Sequence, residues 1–189
     1  MKTTFLIADH PNVSVNILRK LADNSNIYTK QAVLENPKTP LDIINKLLTT
    51  DDAQYRMSAA RNPNIPLKAL KIFLQDKNYN VKGAALTNPK VPTEILVKLA
   101  KSKNRDIRIG VAANPNTPKE ILMQLSNDNY YEVENALMRN PNIPPEFLKK
   151  KIDYNMKESL LNIDIAKHPN VTPEILSILA SFEESDSLL

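Results

Sequence analysis

The stretch Asn114-Pro115-Asn116-Thr117-Pro118-Lys119-Glu120-Ile121-Leu122 decides the fold, because the same phrase returns along nearly the whole chain. Close copies are Asn36-Pro37-Lys38-Thr39-Pro40, Asn62-Pro63-Asn64-Ile65-Pro66, Asn88-Pro89-Lys90-Val91-Pro92 and Asn140-Pro141-Asn142-Ile143-Pro144. The two outer copies begin with histidine, as His10-Pro11-Asn12-Val13 and His168-Pro169-Asn170-Val171. Their first prolines stand at 11, 37, 63, 89, 115, 141 and 169, so five steps are 26 residues long and the last is 28. A fixed period in this range is the signature of a solenoid, in which each unit buries its apolar face only by stacking on its neighbours.

With each unit numbered from the residue before its first proline, so that Asn114 is position 1, apolar columns emerge. Positions 8, 9, 12 and 13 carry Ile95, Leu96, Leu99 and Ala100 in one copy and Ile121, Leu122 and Leu125 in the next. That spacing makes one stripe on a first helix. Positions 20, 23, 24 and 25 form a stripe of smaller residues, such as Val81, Ala84, Ala85 and Leu86, and predict a closer-packed second helix. Both glycines of the chain, Gly83 and Gly110, fall in this stretch. A mid-helix glycine costs about 1 kcal/mol relative to alanine, so tight packing is the expected compensation.

Proline supplies the punctuation. It biases the residue before it away from helical backbone, so each Asn-Pro or His-Pro ends a second helix after about nine residues. The second proline suits the first position of the next helix, where its missing N–H is no loss. Thr39 and Thr117 read as N-caps, with Asp42 and Glu120 three residues later forming capping boxes. Residues 3–9 align with a second helix that has no first, and Pro173–Ala180 with a first helix that has no second. The expectation is an all-α, single-domain array over residues 1–182, of about six two-helix units plus terminal half units and about thirteen short helices, followed by an acidic tail at 183–189. The sixth unit departs from the pattern: it is two residues longer, Lys149-Lys150-Lys151 puts lysine at position 12, and Asp164 stands in the small-residue column. A shifted register returning Ile152 to the core and leaving Asp164 to water is favoured over a buried functional acid.

The phrase Asn-Pro-Asn-Thr-Pro-x-x-Ile-Leu, followed by segments such as Ile107-Arg108-Ile109-Gly110-Val111-Ala112, resembles the leucine-rich repeat variant family over residues 3–182. The resemblance implies a right-handed superhelix pairing an α-helix with a second helix that is either α or 3₁₀, without the strands of ordinary leucine-rich repeats. It also implies a bacterial or archaeal origin. Some relatives carry a cysteine-bound four-iron cluster, which is not carried over because this chain has no cysteine. The resemblance implies no catalysis and specifies no ligand.

Bulk properties narrow the function classes. No apolar run approaches the roughly 20 residues needed to cross a bilayer, and the lack of cysteine suits a reducing, cytoplasmic setting. The formal charge of +4 arises from 25 Lys plus Arg against 21 Asp plus Glu, a balance compatible with an acidic partner but equally with solubilising lysines. No Gly-rich phosphate loop, nucleophile elbow or His-Glu metal motif occurs, and the two histidines stand six units apart. No catalytic, cofactor-binding or metal site is expected.

Two sets of residues stand out as partner-binding candidates. Position 21 carries Lys30, Arg56, Lys82 and Arg108 in four consecutive units. These cations match either the phosphates of a nucleic acid or, in the favoured structural role, carboxylates of adjoining units, with Asp76 and Asp128 as partners. Tyrosines gather at the start of the second helix, as Tyr28, Tyr79, Tyr130 and Tyr131, with Tyr55 at a core position and Tyr154 slightly earlier in its unit. Tyrosine is enriched at interface hot spots, so these form either a rim for a partner or covers for helix ends. The sequence therefore predicts a non-catalytic scaffold offering an extended surface to a protein partner. The alternative is a nucleic-acid-binding array, and end-to-end self-association is compatible with both.

Overall fold

The computed structural model describes residues 2–24, 26–48, 51–153 and 159–184. Tyr154 and the tail residues 185–189 lie outside the described residues. The second-helix set is α1 (Lys2–Asp9), α3 (Ile27–Glu35), α5 (Ala53–Arg61), α7 (Tyr79–Leu86), α9 (Arg105–Ala113), α11 (Tyr131–Met138) and α13 (Leu160–Ala166). The first-helix set is α2 (Val15–Ala22), α4 (Leu41–Leu48), α6 (Leu67–Phe73), α8 (Thr93–Leu99), α10 (Lys119–Leu125), α12 (Pro145–Lys150) and α14 (Pro173–Glu184). Among the described residues there are fourteen helices where about thirteen were expected, two for each of the six full units and one for each terminal half unit. Among the described residues there is no strand, and the second helices are α rather than 3₁₀. No helix of the described residues is long and apolar enough to cross a membrane.

The second helices from α1 to α11 pack side by side in one row, while α2, α4, α6, α8, α10 and α14 each lean on a second helix beside them. Consecutive first helices have no comparable contact with one another, so the second helices form the more closely packed row. The tightest approach is between α7 and α9, where the two glycines meet. A Cβ on Gly83 would stand 2.6 Å from the Asp106 carbonyl oxygen, and one on Gly110 would collide with the Gly83 carbonyl oxygen. Close approach, not backbone freedom, is what these glycines provide.

The Asn-Pro phrase holds the units together. Asn62 is fully buried, and its Nδ2 donates to Leu34 O at 2.7 Å and Asn36 O at 2.8 Å in the preceding unit. Its Oδ1 accepts from Asn64 N at 2.9 Å, which fixes the turn. Asn36, Asn88, Asn114 and Asn140 repeat this three-bond pattern against the unit before each. A second, outer row reaches back from position 3: Asn64 Nδ2 donates to Pro37 O at 2.7 Å, Asn116 Nδ2 to Pro89 O at 2.6 Å and Asn142 Nδ2 to Pro115 O. Backbone carbonyls that a loop would otherwise leave dry are thereby satisfied, as burial demands.

Local punctuation differs from the expectation in one respect. Pro66, Pro92, Pro118 and Pro144 are the N-cap residues of their helices, with extended ψ, rather than first helical residues. The Thr39 and Thr117 hydroxyls point the other way: they donate back to Val33 O and Val111 O at the end of the second helix. A hydroxyl one residue ahead of the cap proline is too far back to reach the next helix and instead closes the preceding one. Where position 4 is Ile65, Val91 or Ile143, the side chain is buried as an apolar contact. Second helices have their own caps at position 17, where Asn26, Asp52, Asn78 and Asn104 accept from backbone N–H groups.

In the sixth unit Ile152 is buried and Asp164 exposed, as the register shift requires. Lys151 Nζ pairs with Glu134 at 2.6 Å and Lys149 Nζ with Glu174 at 2.5 Å, so the displaced lysines bridge to the neighbouring units.

Candidate partner-binding surface

The Asn-Pro loops occupy one edge of the array, and the N-terminal ends of the second helices lie along the opposite edge. On that edge Tyr28 is 66% exposed, Tyr79 52%, Tyr130 44% and Tyr131 71%. Tyr79 and Tyr131 are the first residues of α7 and α11, and Tyr130 is the α11 N-cap residue. Tyr28 is the second residue of α3, so the rings occur on alternate second helices. Tyr55, by contrast, is half-buried against the core.

Position 21 divides by residue type. Arg56 Nε donates to Asp76 Oδ2 at 2.7 Å and Nη2 to Oδ1 at 3.2 Å, with the two side chains 7% and 9% exposed. Arg108 makes the same fork with Asp128, at 2.5 and 3.1 Å, and adds Nη1 bonds to Ser102 O and Lys103 O. The hydrogen bonds from Arg108 hold the Asp128 carboxyl below the usual carboxylate range against the effect of its burial, and Asp128 raises Arg108 in turn. Planar, bidentate pairing is what the guanidinium favours. Each arginine thus ties its second helix to position 15 of the following unit, in the favoured structural role. The lysines differ. Lys82 Nζ lies 5.3 Å from the Tyr79 ring centroid, and Lys30 Nζ lies 5.7 Å from that of Tyr55. In unit four Ser102 stands at position 15 where Asp76 and Asp128 stand in units three and five, so Lys82 meets no aspartate there.

Around Tyr130 the edge is a shallow polar cleft lined by Ser102, Arg108, Asn127, Asp128 and Tyr130. Arg105 and Arg108 stand 5.8 and 5.4 Å from the Tyr130 ring centroid, and Arg105 pairs with Glu132 at 3.1 Å. The surface here is aromatic with mixed charge, not uniformly basic. Among the described residues no group of three or more His, Cys, Asp and Glu gathers where it would hold a metal ion.

The histidines have a role that the sequence left unread. His168 substitutes for asparagine in the inner row: Nε2 stands 3.2 Å from Asn140 O and Nδ1 accepts from Asn170 N at 3.1 Å. Accepting at Nδ1 places the proton on Nε2, and burial lowers the His168 pKa, partly offset by the Asn140 bond. His10 makes the corresponding turn bond from Asn12 N at 3.0 Å but is itself exposed. The signal for this substitution was the alignment of both histidines with the position-1 asparagines.

No family model matches the chain, and no curated protein matches it. A solved structure described as "a leucine-rich repeat variant with a novel repetitive protein structural motif" is similar to it at 18% identity, over 94% of this chain and 80% of that one, with a TM-score of 0.43.

Proposed function

We propose that the chain is a non-catalytic repeat scaffold that binds a protein partner along the edge bearing Tyr28, Tyr79, Tyr130 and Tyr131. The observation carrying this reading is the exposure of these four rings on a frame in which, among the described residues, every buried side-chain polar atom has a hydrogen-bond partner. Tyrosine brings large contact area with few rotors to freeze, so a spaced row of rings suits an extended protein surface or peptide. Nucleic acid is the weaker candidate. Arg56 and Arg108, half of the basic column, are held in forks by Asp76 and Asp128, which leaves Lys30 and Lys82 for phosphates.

Two assays divide these readings. Wild-type chain, a Tyr28→Ser/Tyr79→Ser/Tyr131→Ser variant and a Lys71→Ala control are used as baits in source-cell extract. The proposal expects a protein captured by wild type and control and lost with the tyrosine variant; equal capture by all three would refute the assigned edge. Anisotropy titrations with labelled single- and double-stranded DNA and RNA at about 50 and 200 mM salt test the alternative, since several phosphate contacts would weaken steeply between the two. Salt-sensitive binding lost in the Lys30→Ala/Lys82→Ala variant would replace the protein reading with the nucleic-acid one.

A further inference from the structure

Position 9 of the first helix is buried in every complete unit: Leu18, Ile44, Leu70, Leu96, Leu122 and Leu148 have no exposed surface. In α14 the same position is Leu176, and it is 43% exposed. Position 24 of the second helix behaves in the same way. Val33, Ala59, Ala85, Val111, Leu137 and Ile165 are at most 1% exposed, whereas Ile7 of α1 is 39% exposed. Within a unit the first and second helices pack on each other, as α2 does on α3. Among the described residues no second helix packs on α14 at Leu176, and no first helix packs on α1 at Ile7 as α2 packs on α3.

The two ends therefore hold the two halves of one unit. Beside α1 lies an apolar recess lined by Leu6, Ile7, His10, Asn12, Val13 and Ile17, at the place where a preceding first helix would pack. Polar groups match as well. At the internal joints the position-1 side chains donate to the loop of the unit before, and so do the position-3 side chains of Asn64, Lys90, Asn116, Asn142 and Asn170. His168 Nε2 does so to Asn140 O, while Asn170 Nδ2 donates to Pro141 O at 2.7 Å and Ile143 O at 2.9 Å. His10 and Asn12 occupy these positions on the α1 end, and among the described residues their Nε2 and Nδ2 atoms have no partner. The α14 end offers the corresponding carbonyls of His168, Pro169 and Val171. Ala166, at position 25, is exposed there, although Leu34, Ala60, Leu86 and Ala112 at the same position are buried by the following unit.

We propose that copies of this chain associate head to tail, α14 of one copy filling the recess beside α1 of the next so that the two half units form one complete repeat. His10 then donates to the His168 loop, and Asn12 to the Pro169 and Val171 carbonyls, as Asn170 does within the chain. Such a contact is heterologous: its two sides differ, and copies add into an open filament or, if the rotation closes, a ring. This contact does not depend on the tyrosine edge, and its test is independent of that assignment.

Sedimentation velocity of the full chain over a hundredfold concentration range tests it, with Leu6→Glu (61% exposed) and Leu176→Glu as variants at surface sites. The expected result is a sedimentation coefficient that grows with concentration for the wild type and stays at the monomer value for each variant alone. An equimolar mixture of the two variants should then give a one-to-one dimer and nothing larger, because one retains a working α14 end and the other a working α1 end. Circular dichroism matching the wild type confirms that both variants are folded. A wild-type chain that remains monomeric throughout overturns the proposal. So does an association that Leu176→Glu leaves intact, or a mixture that fails to dimerise; if deleting residues 185–189 releases association from a monomeric chain, the tail is the occupant instead.

Discussion

Replacing Asn62 by alanine removes three hydrogen bonds at once: Nδ2 to Leu34 O at 2.7 Å and Asn36 O at 2.8 Å, and Asn64 N to Oδ1 at 2.9 Å. Each is worth about 0.5–1.5 kcal/mol net, and the site is fully buried, so carbonyls lose a donor where water does not reach. Asn36 O keeps its bond from Thr39 N, which limits the damage. The expected loss is about 3 kcal/mol, read as the shift in urea unfolding followed by far-ultraviolet circular dichroism. Asn62→Asp should cost more at neutral pH, because it turns a buried double donor into an anion facing two carbonyls. Asn64→Ala removes one exposed bond, to Pro37 O, and should cost about 0.5–1 kcal/mol. A loss at Asn62→Ala below about 1 kcal/mol, or no greater than at Asn64→Ala, would refute the claim that the inner asparagines join the units.

Four further outcomes are expected. Arg108→Ala should destabilise by about 3 kcal/mol, since it leaves Asp128 buried without its fork, and Arg108→Lys should recover less than half; thermal melts of the three proteins check both. Because its Arg108 hydrogen bonds hold the Asp128 pKa down, this pair stabilises fully above the unfolded value near 3.9 and progressively less as pH falls through the folded one. Acid unfolding curves of wild type and Asp128→Asn should accordingly converge below about pH 4. His168 is held neutral by burial, so the unfolded chain takes up its proton first and stability falls as pH drops below about 6.5; His168→Asn should flatten that slope in melts between pH 7 and 5. Gly83→Ala should lower stability by about 1–3 kcal/mol despite alanine's helix preference, because its Cβ meets the Asp106 carbonyl oxygen; a gain would refute the close approach of α7 and α9.

The repeat and its two helices were legible because period and apolar spacing are one-dimensional signals. The recurrence of Asn-Pro or His-Pro located the loops that follow the second helices, and the small residues at Ala84, Ala85 and Gly110 marked the row that packs most closely. Bonds between units were much harder to read. The asparagines looked like turn residues, and nothing in a linear pattern says that Asn62 Nδ2 turns back to carbonyls 26 and 28 residues away. Thr117 was misread because a cap and a back-bond to Val111 O use the same residue type beside the same proline, and only the extended ψ of Pro118 separates them. The position-17 caps were available from sequence, as Asn26, Asp52, Asn78 and Asn104 recur at the repeat interval. For the surface, the sequence placed Tyr28, Tyr79, Tyr130 and Tyr131 at the start of second helices but left open whether they cover helix ends or face solvent; exposure depends on packing. The basic column was ambiguous for a related reason: Arg and Lys share a charge, and only the presence of Asp76 or Asp128 in the following unit separates a fork from an unforked amine.

Site-specific photo-crosslinking in the source cell tests the central claim most directly, with benzoylphenylalanine placed in turn at Tyr79 on the tyrosine edge, Asn64 on the Asn-Pro edge and Lys71 on a first helix. The account predicts a discrete protein adduct from position 79 and none from 64 or 71. An adduct from position 64 or 71 with none from 79 would show that the working surface lies elsewhere on the array.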